Sequence, residues 1–148
     1  MLKVIGTIQC TGKDNQVRDF TIFEQDENHN KNEYHYLLQK NVIFDMSVDS
    51  FQLTLKEIDK VNLQLISINK NDEELYGAKG IPESVLPFIS NLKQKNIKSS
   101  RTRIGIKGEF RTEDADKMWK RLFEKKIASY DSDNDYYYVF PINLSFIK

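Results

Sequence analysis

Apolar and polar residues follow a short period through the first sixty-nine positions and a helical one over much of the rest. Val4, Ile5, Ile8 and Cys10 fall in a run that suits a strand, and residues 11–15 carry turn chemistry. Phe20, Ile22 and Phe23 suit a returning strand, so the pattern predicts a hairpin over 2–25. Residues 25–33 are almost wholly polar and read as an exposed loop. Residues 34–38 read equally as strand or helix. Val42, Ile43 and Phe44 predict a further strand, and so do residues 51–55, where Phe51, Leu53 and Leu55 share a face. The clearest strand is 61–69. Val61, Leu63, Leu65 and Ser67 fall on one face, Ile66 and Ile68 on the other. Its second half is apolar on both sides, as for a central strand covered on both faces.

Beyond residue 80 the period lengthens. Val85, Leu86, Ile89 and Leu92 predict a helix over about 83–96. Thr112 is a good N-cap, and Glu113 and Asp114 suit the positive end of the helix that follows. Ala115, Met118, Trp119, Leu122 and Phe123 form its apolar stripe, and basic residues crowd its last turns, which predicts a helix over 113–126. Residues 129–142 read as a second hairpin with its turn at 131–135. The expected fold class is α/β (α+β), with a mixed, mainly antiparallel sheet and two principal helices. It is expected as one domain over 1–148, with a β-rich half up to residue 60.

Composition narrows the function classes. Lys and Arg number 22, as do Asp and Glu, so there is no global polyanion-binding charge. The single cysteine, Cys10, cannot form an internal disulfide, which suits a reducing, cytoplasmic setting. No apolar run approaches the roughly 20 residues that span a bilayer, and the first ten residues read as a strand and not a signal peptide. Seven basic residues stand between Lys93 and Arg111 against one acid, Glu109. That stretch reads as a solvated helix end plus a loop, with an anion site as the sharper alternative. It holds one aromatic residue, Phe110, so a nucleic acid is not the expected partner.

Two apparent metal motifs fail on chemistry. Asp131, Asp133 and Asp135 alternate as a calcium loop begins, but Tyr136 and Ile142 stand where glycine and a bidentate glutamate are needed. Neither His29 nor His35 has a ligand cluster beside it in sequence. No metal is expected.

The stretch YGAKGIPESV, residues 76–85, carries more chemistry. A strand, a glycine-containing loop and a helix can aim backbone N–H groups at a phosphate. Gly77 and Gly80 permit positive φ, and Lys79 adds charge. Pro82 at the first helical position is well placed but removes a donor, and it leaves Pro87 inside the helix. Alternatively Ser84 is the N-cap and the helix begins later.

With the later Ala115-Asp116-Lys117-Met118-Trp119-Lys120-Arg121-Leu122 and the final hairpin, this order of parts resembles the GNAT superfamily of N-acetyltransferases over about residues 61–142. The family's acetyl-CoA loop, Gln/Arg-x-x-Gly-x-Gly/Ala, falls on residues 77–82, where Gly80 matches. Gly77 replaces the first residue of the pattern and Pro82 the last; Trp119 stands where the family often has its tyrosine acid. The resemblance implies that Lys79, Gly80 and Ile81 hold the pyrophosphate of acetyl-CoA, and that residues 66–69, with Ile66 and Ile68, line the pantetheine. Glu73 and Glu74 are the nearest candidate bases. Tyr130, Tyr136, Tyr137 or Tyr138 can offer the acid hydroxyl, with Tyr130 taken as the candidate. The activity implied is acyl transfer to an amine. The rival is a non-catalytic binding protein on the same frame, such as an immunity, antitoxin or phage counter-defence factor, with a protein partner. The oligomeric state is not fixed by the sequence.

Overall fold

A computed structural model describes residues 2–25, 32–100 and 111–142. Eleven elements follow one another among them: β1 (Leu2–Thr11), β2 (Val17–Gln25), β3 (Glu33–Gln39), β4 (Phe51–Glu57), β5 (Asn62–Asn69), α1 (Glu73–Tyr76), α2 (Ile81–Lys93), β6 (Asn96–Lys98), α3 (Glu113–Glu124), β7 (Ser129–Asp131) and β8 (Tyr136–Val139). His29 and residues 101–110 of the basic stretch lie outside the described residues.

The strands form one sheet in the order β1-β2-β3-β4-β5-β6-β8-β7. Every pairing is antiparallel except β5 with β6, the two strands joined through α2. The fold is therefore mixed α+β with a mainly antiparallel sheet. Phe20 and Ile22, Tyr36 and Leu38, Phe51, Leu53 and Leu55, Leu63, and Ile97 place one face of successive strands in the core. Helices α2 and α3 both pack on that face. Ile81, Val85, Leu86 and Ile89 of α2 and Met118, Trp119 and Leu122 of α3 belong to the same buried cluster. Helix α2 touches β1 near one end of the sheet and β6 and β8 near the other, so the sheet curls around it.

Gly80, the N-cap of α2, and Ser84 and Phe88 within it, each four residues from the next, form one stripe along β1. A Cβ on Gly80 would strike the Thr11 carbonyl oxygen, the Ser84 hydroxyl donates to the Gln9 carbonyl at 2.9 Å, and the Phe88 ring fills the space beside Gly6. The helix thereby covers backbone acceptors of an edge strand, which would otherwise offer them to another chain.

Several boundaries differ from those the pattern predicts. Helix α2 starts at Ile81, with Gly80 as N-cap, Pro82 in the first turn and Pro87 inside, and it ends at Lys93. The Ser84 alternative fails because its hydroxyl is spent on β1. Residues 34–38 are strand. Val42, Ile43 and Phe44 are not: they lie in a β3–β4 loop whose backbone is bound by the Gln39 side chain. Helix α3 begins as expected, with the Thr112 hydroxyl accepting from the Ala115 N–H at 3.1 Å, and ends at Glu124. The expected hairpins over 2–25 and 129–142 both form, the second as β7 and β8.

Strand β5 carries the largest correction. A bulge between its pairings with β4 sets Leu65 opposite Leu55 but Ser67 opposite Thr54, leaving Ile66 without a cross-strand partner there. Past the bulge the faces exchange. Ile68 sits opposite Leu53 and packs on the core, while Ser67 faces outward. The expected shared face of Ile66 and Ile68 is therefore absent. Ile66 is 47% exposed, so the outer face of this strand is not covered either.

Candidate functional site

The loop 77–80 joins α1 to α2 and is tightly folded. Ala78 and Gly80 both have positive φ, 52° and 80°. Gly80 holds a left-handed conformation that costs other residues energy, at a place where a side chain would strike β1 backbone. The Ala78 carbonyl accepts the Lys13 N–H at 3.0 Å, so the loop docks on the β1–β2 turn. Lys79 faces the same turn. The Asp14 carboxyl is held below its usual range chiefly by its hydrogen bond to Arg18, and in smaller part by the Lys79 charge.

At the N-terminus of α2 stands Glu83. Its carboxylate accepts from Arg121 Nε at 2.8 Å and from Lys125 Nζ at 2.7 Å, both from the C-terminal end of α3. Burial pushes this carboxyl up, but the two cationic donors and its own backbone N–H outweigh burial and leave it below the usual glutamate value. An anion therefore already sits where the helix dipole and free N–H groups favour one. Cys10 lies next to this group. Burial pushes its thiol up to about 11, against a lowering hydrogen bond with Ser84, so it is an inert core thiol near neutral pH.

Of the other expected site residues, Glu73 comes against the loop: its carboxylate lies where a Cβ on Gly77 would be. Ile81 is fully buried in the core, which leaves only its backbone for a ligand. Glu73 and Glu74 lie on the exposed surface of α1, and Glu73 is 3.6 Å from Lys70. Tyr130 donates its hydroxyl hydrogen to Asp135 at 2.8 Å. That bond to a carboxylate raises the phenol above its usual value. Trp119 is a core residue, stacked on Tyr137 with ring centres 6.0 Å apart. The Asp131 carboxylate serves its own turn by accepting the Asp133 and Asn134 N–H groups.

Two polar clusters escaped the sequence reading. Arg111, counted among the solvated basic residues, is buried and fully engaged. It donates to Asp116, Ser99, the Ser100 carbonyl and Asp135, and its guanidinium lies 4.9 Å from the Tyr137 ring centre. It staples β6, α3 and the β7–β8 turn together. The second cluster lies between the C-terminal end of α2 and the sheet. Lys93 reaches Glu24 at 3.0 Å, Lys95 reaches Glu57 at 3.2 Å, and the Tyr34 hydroxyl donates to Glu57 at 3.1 Å. Glu24 Oε2 and the Tyr36 hydroxyl are buried without a hydrogen-bond partner of good geometry, and Lys93 supports Glu24 by charge alone. Burial and then the Glu24 charge raise the Tyr36 phenol far above its usual value, so it stays protonated. One signal for this cluster was visible: Glu24 continues the period of two set by Phe20 and Ile22, an acid at a core-facing position.

No grouping of three or more His, Cys, Asp or Glu side chains suited to a metal ion occurs among the described residues. None of their helices is long and apolar enough to cross a membrane. No protein-family profile, curated protein or solved structure matches this chain.

Proposed function

We propose that this chain uses a GNAT-like frame to bind a protein partner and not to transfer an acetyl group, in the manner of an immunity, antitoxin or counter-defence factor. The frame is supported by the order of parts: β5, a loop with a left-handed glycine, α2, the parallel strand β6, α3 and a final hairpin. Glu83 carries the functional half of the reading. Its carboxylate takes the place at the α2 N-terminus where a pyrophosphate would need to lie, and it consumes the cations Arg121 and Lys125. Pro82 offers no N–H, and Gly77 brings no side-chain donor. These residues do not fit acetyl-CoA. Thermal unfolding with millimolar acetyl-CoA tests this. No change in midpoint is expected. A rise of about 5–10 °C, as a ligand near 100 times its Kd would give, overturns the reading.

A second reading keeps acetyl-CoA-dependent acyl transfer to an amine, and one observation favours it. Strand β6 ends at Lys98, opposite Gln64, so β5 runs on past its last pairing with β6, and the bulged Ile66 stands in that stretch. Bulges often lie beside active sites, where they interrupt pairing. Under this reading the wild-type midpoint rises with acetyl-CoA.

A further inference from the structure

The β3–β4 loop shows a surface that no motif announced. Val42, Ile43 and Met46 are 74%, 79% and 90% exposed, and Val48 and Val4 lie nearby in the fold at 42% and 54%. The loop is not slack. The Gln39 side chain, itself 1% exposed, donates to the Asp45 and Val48 carbonyls at 2.9 and 3.3 Å and accepts the Asp45 N–H at 2.9 Å. Asp45 in turn accepts from the Ser47 N–H and hydroxyl. Phe44 anchors the centre, edge-on to Phe23 at 5.3 Å on the outer face of the sheet. Beside the tip, and sharing Met46 with it, is a shallow hollow of about 380 Å³ whose lining is half apolar, with Leu2, Leu37, Phe44 and Val48, and half polar, with Gln25, Asp49, Ser50, Gln52 and Asn71.

We propose that this patch is the interface of a two-fold dimer of this chain. A projecting apolar tip next to a hollow with an apolar side can pair with itself under a two-fold axis, each copy laying Val42 and Ile43 against the Leu2, Leu37 and Phe44 side of the other's hollow. The open apolar surface is on the order of 500 Å² per copy, at the upper end of what monomers leave exposed. Doubled, it reaches about 1,000 Å², the threshold for a specific interface. Charge speaks against a membrane surface or a nucleic acid as the occupant. Lys40 is the one cation in the 39–50 segment, against Asp45 and Asp49, whereas an anionic lipid surface or a nucleic acid calls for clustered Lys and Arg. With no net charge on the chain, two copies meet without overall repulsion. This proposal does not depend on what the α2 loop binds.

Sedimentation velocity on the full chain, from low micromolar to about 200 µM, tests it, because interfaces of this class reach micromolar affinity. A concentration-dependent dimer is expected for the wild type. The double variant Ile43→Asp with Met46→Asp is expected to weaken it at least about tenfold, since charge enters an apolar contact, with the circular dichroism unchanged. Val61→Asp, at another exposed apolar site, is expected to leave the dimer intact. A wild type that is monomeric throughout overturns the proposal. So does equal loss of association in Val61→Asp, which would mark non-specific stickiness. Sedimentation with phosphatidylserine vesicles that is lost in the double variant, from a chain that stays monomeric, overturns it in favour of a membrane.

Discussion

The loops at 77–80 and 41–48 are both pinned by hydrogen bonds, but they present opposite surfaces. The first has the composition of a ligand loop, with two glycines, a lysine and a helix behind it. In the fold its glycine is pressed on Thr11, its carbonyl is bound to Lys13, and the helix end behind it is filled by Glu83. The second loop has no recognisable chemistry, yet it holds three aliphatic side chains in water on a backbone fixed by Gln39. Residue types tell what a loop can do. The side chains that reach it from distant strands and helices decide what it has left to offer.

Gly80→Ala tests the inward half of this contrast and should have the largest effect. Positive φ and the contact with β1 backbone together should cost about 2–4 kcal/mol, a fall in thermal midpoint of roughly 6–15 °C. Wild-type melting of Gly80→Ala would show that the loop does not rest on Thr11.

Gln39→Ala probes the outward loop. It strips three hydrogen bonds from backbone groups at 45 and 48, and about 1–3 kcal/mol should be lost. Amide exchange at residues 41–48 should quicken more than in β4. If both loops are rigid for the reasons given, each variant loosens its own loop and leaves the other protected. Uniform loss of protection in Gln39→Ala would mean that the 41–48 backbone is held by something else.

Periodicity made much of the frame legible. The hairpin over 2–25, the strand at 61–69 and the start of α3 at Glu113 follow from alternation, turn residues and the Thr112 cap. Three features were not legible, each because a partner outside the apolar–polar pattern decided it. Val42, Ile43 and Phe44 have strand-forming residues, but the Gln39 side chain takes up backbone groups that a ladder would use. The bulge at Ile66 depends on registry with β4, and a single-strand pattern cannot show it. Arg111 looked like a solvated charge until Asp116 and Asp135, distant in different degrees along the chain, were brought to it. The surroundings of the 77–80 loop were the least legible part: Glu73 and Glu74 were chosen by nearness in sequence, whereas Thr11, Lys13, Arg121 and Lys125 reach the loop and the helix end behind it from β1, the β1–β2 turn and α3.

Met46→Ala should change stability by less than about 0.5 kcal/mol despite removing a large side chain, because a side chain 90% exposed leaves no cavity. A larger loss, measured by urea unfolding at one concentration below the dimer range, would show that Met46 is packed in the monomer and that the patch is smaller than its exposure indicates.

Glu83→Gln should cost under about 1 kcal/mol at neutral pH, since Arg121 and Lys125 keep access to water when their partner is neutralised. Its sharper signature is in acid. The folded carboxyl lies below its unfolded value, so its contribution is complete above the ordinary glutamate pKa of about 4.3 and disappears as pH falls through the depressed folded value. Wild type and variant should therefore differ by a constant amount from about pH 6 to 8 and draw together below pH 4. The variant should keep some acid sensitivity, because Asp116 is also depressed: burial raises it, but Lys120 and Arg111 lower it further. Two curves that stay parallel into acid would mean that Glu83 is not charged in the fold. The α2 N-terminus would then be open to an outside anion, and the two loops would no longer differ as described.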